Sequence, residues 1–135
     1  VTHIGGFSDW HKLSDGRFKK NIQANVPGLD FILKLNPVTY NYDMKGFKKF
    51  MGSSDEQIAE RAAKIERKEK IVYTGLIAQE VEKVAEQIGY NFSGVDVPEN
   101  AQKTPYSLAY AEFVPSLIES IKQQQQFCLL YTSDA

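Results

Sequence analysis

The sequence holds one cysteine, Cys128, one tryptophan and two histidines in 135 residues. Neither a disulfide framework within the chain nor a multi-cysteine metal site can be built from that stock. Charge of one sign is also lacking, since 16 basic residues stand against 17 acidic ones, net −1, with an isoelectric point near 6.2. A balance of that kind supplies no field that would draw a nucleic-acid backbone or an anionic membrane, so neither is expected as a partner and selectivity must come from shape. No apolar run approaches the ~20 residues of a membrane span, and the opening VTHIGGFSDW has neither the basic nor the apolar region of a secretory signal. A phosphate-cradling loop is missing as well, because Gly5-Gly6 is too short and leads into no strand-turn-helix unit. His3 and His11, with only Asp9 between them as a further ligand type, fit no metal-ligand spacing and read as surface or packing residues. No metal and no cofactor is expected.

What is present is 42% hydrophobic and 24% charged, enough in this length for one modest core and a single domain. The start without Met, in glycine-rich sequence, reads as a piece of a longer protein, with residues 1–13 as a connector. Phe7, Trp10 and Leu13 are spaced by three and are expected to pack. CLLYTSDA, Cys128 to Ala135, resembles a translated sequencing adapter. Residues 128–135 are therefore set aside as foreign, and Cys128 with them, leaving 14–127 as the domain.

Along that domain, Ser14 or Asp15 can cap a short helix over Arg17 to Gln23, with Phe18 and Ile22 on one face. PGLDFILKL predicts a second helix, with Pro27 in its first turn, a stripe of Leu29, Ile32 and Leu33, and a stop at Asn36-Pro37. PVTYNYD alternates as a half-buried strand does, Val38, Tyr40 and Tyr42 on one side and Thr39, Asn41 and Asp43 on the other. Ser54 and Gln57 form a capping box for a charged helix running to Lys70, peripheral because only Ile58 and Ile65 anchor it. KIVYTG predicts a second strand ending at Gly75. LIAQEVEKVAEQIG predicts a helix with Ile77, Val81, Val84 and Ile88 on one stripe and Gly89 as its C-terminal cap. YNFSGVDVPENAQKTP reads as loop, with a short strand near Val95. In YSLAYAEFVPSLIESIKQQQQ, Tyr110, Val114, Leu117, Ile121 and Gln124 alternate in four-three spacing like a coiled-coil seam, and Pro115 demands a kink or a restart. The seam is too short to sustain an isolated coiled coil, so it must find a partner surface. The fold class is α+β, a strand pair with several helices.

Four stretches in order carry a resemblance: SDGRFKKNI at 14–22, LKLNPVTYNY at 33–42, TGLIAQEVEKV at 74–84, and YSLAYAEFVPSLIESIKQQQQ at 106–126. Together they resemble the C-terminal intramolecular chaperone of endosialidase tailspikes, the peptidase S74 family. The resemblance implies a homotrimer built around the 106–126 helices, at the end of a phage tailspike or similar fibre on a virion or a cell surface. Such a module guides the folding of the upstream stalk of its own chain and then cleaves itself off. It also implies a catalytic serine-lysine dyad at Ser14 and Lys19, with the Leu13–Ser14 bond as the site of cleavage.

Read from the residues alone, Ser14 and Lys19 are as readily a helix cap and a solvated charge. Serine needs a base, and lysine can serve once burial or nearby cations favour its neutral form, a pressure that Arg17 and Lys20 are placed to exert. Five residues along one helix turn through roughly 500°, leaving the two side chains about 140° apart. They can meet within one chain only if Ser14 lies in the loop before the helix, or else between subunits. Gln79 and Glu80 read as the polar face of their helix, with Glu80 and Glu82 placed for contacts between chains. Tyr40, Tyr42, Phe47 and Phe50, with Lys48 and Lys49, imitate a single-strand-binding surface, but neutral charge favours core or trimer packing. The rival expectations are a permanent trimeric cap that never cleaves, and a monomeric module that docks a partner helix against 77–88.

Overall fold

A computed structural model describes residues 3–133. After a connector without regular secondary structure comes a 3-10 turn, Gly16–Phe18, then helix α1 (Leu29–Ile32), strand β1 (Val38–Tyr40) and helices α2 (Met44–Phe50), α3 (Asp55–Glu60) and α4 (Ala62–Glu69). Strand β2 (Tyr73–Gly75), helix α5 (Ala78–Gln87), strands β3 (Val95–Asp96) and β4 (Ser107–Leu108), a 3-10 turn at Tyr110–Phe113 and the long helix α6 (Val114–Ser133) complete it. The architecture is α+β, with two small antiparallel strand pairs. β1 meets β2 with Val38 opposite Gly75, Thr39 opposite Thr74 and Tyr40 opposite Tyr73. β3 meets β4 with Val95 opposite Leu108 and Asp96 opposite Ser107. The alternation in β1 is as expected, Val38 and Tyr40 half-buried and Thr39 exposed.

The core is aromatic. Phe31 is fully buried and stacks on Phe113 at 6.0 Å, with Phe92 at 5.0 Å and the edge of Tyr90 at 5.2 Å. Val81 and Ala85 of α5 close the same cluster. α5 ends as its glycine demands: Gly89 sits at φ +68, its N–H reaches the Glu86 carbonyl, and the Tyr90 N–H reaches Ala85. That pair of bonds satisfies the last carbonyls of the helix and turns Tyr90 back onto Phe31.

Four expectations need correction. The helix over Arg17 to Gln23 is a single 3-10 turn; Lys19 is already extended at φ −109, ψ 140, and Asn21 takes φ 54. The second helix is one turn, with Gly28 as its N-cap, and its buried residue is Phe31, while Leu33 is exposed. The charged helix is broken at Arg61 (φ −109, ψ 15) into α3 and α4, although the capping box of Ser54 and Gln57 forms and Ile58 and Ile65 are both buried. Phe7, Trp10 and Leu13 do not pack in the single chain, where Trp10 is 89% exposed.

α6 restarts at Val114 after the 3-10 turn, so Pro115 stands in its first turn, where its missing N–H costs nothing. Its inward face is small: Ser116 is fully buried, and Ser120 is buried with its hydroxyl donating to the Ser116 carbonyl at 2.8 Å. The expected seam faces outward, with Tyr110, Val114, Leu117 and Ile121 all exposed. Residues 128–133 continue α6, with Leu129, Leu130 and Tyr131 exposed.

The small face lets α6 lie against α1. Gly28 meets it so closely that a Cβ there would stand 2.9 Å from the Ser120 backbone nitrogen and 2.6 Å from Gln123 Oε1. The same Gln123 Oε1 accepts from the Leu29 N–H at 2.8 Å, satisfying a donor at the start of α1. Gly28→Ala is therefore expected to push α6 away and to destabilise the domain by about 1–3 kcal/mol, the usual cost of overpacking, read as a lower urea midpoint with little change in slope.

Candidate functional site

Ser14 lies in the loop ahead of the 3-10 turn, the one arrangement within a single chain that the spacing allows. Asp15, not Ser14, caps that turn, its carboxylate accepting from the Arg17 N–H at 3.0 Å. This leaves the Ser14 hydroxyl available, and Lys19, the residue that closes the turn, donates from Nζ to Ser14 Oγ at 2.8 Å. Because the chain after Phe18 is extended, Lys19 points back along the turn. The structure thus brings together the two residues singled out from the sequence. Both are exposed in the isolated chain, as is Leu13 on the other side of the Leu13–Ser14 bond.

Arg17, expected to press on Lys19 as a nearby cation, is paired with Asp15. Its guanidinium grips Asp15 through Nε, at 3.2 and 3.0 Å to the two carboxylate oxygens, and through Nη2 at 2.6 Å. It also stands 5.4 Å above the Phe18 ring. The pair holds the Asp15 carboxyl below the usual carboxylate range. Arg17 stiffens the turn that carries Ser14 and Lys19, and its charge is matched by its neighbour.

A second polar contact lies just upstream. Lys12 donates to Oε1 of Glu112, in the 3-10 turn before α6, and the Ser93 hydroxyl donates to Oε2 at 3.1 Å. Both oxygens of Glu112 are therefore engaged, and chiefly Lys12, then Ser93, holds its carboxyl below the usual range. Sequence reasoning passed over Glu112, since no periodicity links residues a hundred positions apart.

His3 and His11 both lie on the exposed connector, and among the described residues no three His, Cys, Asp or Glu stand together as a metal site. No helix among them is long and apolar enough to cross a membrane. Tyr40, Tyr42, Phe47, Phe50 and Gln79 line a groove of about 750 Å3 between β1, α2 and the start of α5. Tyr40 and Tyr42 meet edge to face at 5.2 Å, Tyr73 stacks on Tyr40 at 5.9 Å, and the Leu76 N–H donates to the Tyr110 hydroxyl at 2.9 Å. Glu80 is exposed and Glu82 half-buried.

The Tyr42 hydroxyl, 3.3 Å from that of Tyr40, together with partial burial, pushes the Tyr40 phenol up to about 12. A phenol raised on folding favours the folded state below the unfolded value near 10 and loses that contribution as the pH climbs towards 12. An absorbance titration of the phenolates is expected to show a group titrating near 12 that is lost in Tyr40→Phe.

No curated protein and no solved structure matches the chain. A family model, described as the chaperone of endosialidase, matches residues 14–90, so that the matched segment opens on Ser14 itself and takes in Lys19, both partners of the β1–β2 ladder and the whole of α5. On that match, which spans more than half of its residues, the chain belongs to the Peptidase_S74 family of endosialidase chaperones.

Proposed function

We propose that the domain is a C-terminal intramolecular chaperone that assembles as a homotrimer, guides the folding of an upstream tailspike or fibre stalk, and then releases itself by cleaving its own Leu13–Ser14 bond. The chaperone role follows from the family. The observation that carries the cleavage step is the 2.8 Å contact of Lys19 Nζ with Ser14 Oγ at the head of the matched segment.

In the reaction, Ser14 Oγ attacks the Leu13 carbonyl carbon while Lys19, in its neutral form, takes the hydroxyl proton. The tetrahedral carbon collapses with rupture of the Leu13–Ser14 C–N bond, and Lys19 returns the proton to the departing Ser14 amine. The ester so formed between the Leu13 acyl group and Ser14 Oγ is hydrolysed by water, leaving a Leu13 carboxylate and a fragment that begins at Ser14. Neutral lysine is favoured by burial, which an assembly supplies where the exposed connector of one chain is covered by its neighbours. Trimerisation is supported by the outward row of Tyr110, Val114, Leu117 and Ile121, an apolar stripe that the domain's own core leaves uncovered. Of the α5 stripe, Val81 is buried in the core, Val84 and Ile88 are half-buried against it and Ile77 is exposed, which leaves a partner helix little to dock on there. The carrier is a phage tail fibre or a cell-surface fibre.

A permanent trimeric cap that is never cleaved is the second reading, favoured by the exposure of both Ser14 and Lys19. Intact mass spectrometry of the chain with its upstream stalk separates the two. Self-cleavage yields a fragment beginning at Ser14 in the parent, and Ser14→Ala lowers its rate of formation at least about a thousandfold with the trimer intact by sedimentation. Lys19→Arg keeps charge and reach but cannot act as a base, and is expected to fail equally. A single uncleaved mass in the parent leaves the permanent cap.

A further inference from the structure

We propose that Glu112 is a positioning residue for cleavage at Leu13–Ser14, acting through Lys12; the inference rests on the self-cleavage reading above. The large side chains of the connector, Phe7, Trp10 and Leu13, are all exposed. Lys12, two residues before the nucleophile, is where it is pinned to the body of the domain, by its ammonium on Glu112. Even a fully extended chain rises only about 3.3 Å per residue, so this pin lies at most about 7 Å along the backbone from Ser14.

The post that receives Lys12 is set into the core. Glu112 immediately precedes Phe113, which is buried against Phe31 and Phe92, and Ser93, which holds its second oxygen, immediately follows Phe92. The two rings lie 4.8 Å apart, and the Ala109 N–H donates to the Gly94 carbonyl at 2.8 Å, so both segments are locked before either polar group acts. Downstream of the bond, Ser14 is held by Lys19 across a turn stiffened by Asp15 and Arg17. The scissile peptide is thereby gripped on both flanks. Attack by a serine on the carbonyl just before it needs a particular backbone rotation, and a displacement of about an ångström is enough to lower the rate up to about a hundredfold. Because the post exists only once Phe113 has seated, cleavage waits for the C-terminal part of the domain to fold.

As an ion pair alone, Lys12–Glu112 is a surface contact of little worth to stability. A merely structural role and a positioning role therefore diverge. In the full chain with its stalk, Glu112→Gln and Lys12→Met are each expected to slow appearance of the Ser14 fragment about tenfold with the melting temperature unchanged. Combining them slows it no further. The reversed pair, Lys12→Glu with Glu112→Lys, returns the rate to within about twofold of the parent. Glu112→Gln cleaving at the parental rate overturns the inference and leaves self-cleavage standing, as does a reversed pair as slow as the single variants. Should Glu112→Gln fail to fold, Lys12→Met on the exposed connector decides alone, parental speed overturning the inference. A parent that does not cleave at all overturns the self-cleavage reading itself, and this inference with it.

Discussion

The burial of Phe31 is the contact on which the rest depends. One ring draws together α1, the loop after α5 and the turn before α6, three segments far apart in the sequence. Aromatic pairs at these separations add about 0.5–1.5 kcal/mol each beyond the area they bury, so the cluster supplies geometry as well as stability. The polar pair that meets Lys12 hangs from it. Ser93 and Glu112 are held because Phe92 and Phe113 are, and α6 runs where it does because the turn ahead of it ends in a buried ring.

α6 shows how one helix serves two surfaces. Towards α1 it presents Ser116 and Ser120, small enough for Gly28 to touch the backbone, and Gln123, whose amide oxygen serves the first turn of α1. Away from α1 it presents large apolar residues. The close approach is compatible only with small groups on both sides, which is why a glycine and two serines occur where a typical core would place leucines. The outward row is left uncovered by the domain's own core.

Much of this was legible because it is local. The capping box at Ser54, the alternation of Val38 and Tyr40, the stripe and glycine cap of α5 and the restart at Pro115 are all written within a few residues of where they act. Helical geometry left two ways for Ser14 and Lys19 to meet, a loop placement within one chain or a contact between subunits, and in the single chain Ser14 lies in the loop with Oγ 2.8 Å from Lys19 Nζ. What was illegible is long-range or a contest between near-equal alternatives. Gln123 is one of four successive glutamines, and only the folded chain reveals that it accepts from the first N–H of α1. Phe31 was hidden beside a more regular stripe of Leu29, Ile32 and Leu33. The turn capped by Asp15 stops at Phe18, where Lys19 is already extended, an early stop that periodicity does not register.

α2, α3 and α4 form an excursion between β1 and β2, with Ile58 and Ile65 buried apart from the main cluster. Its two ends are held side by side, since Tyr40 faces Tyr73 across the ladder. To the core the excursion is a loop closed at its base, and the entropy of closing a loop rises only with the logarithm of its length, by about 0.6 kcal/mol for each doubling. The ladder thus insulates the chaperone body from the size of what it encloses. Chains of this architecture can lengthen, shorten or replace the segment between β1 and β2 at small thermodynamic cost, while Phe31, α6 and the Ser14 turn keep their places.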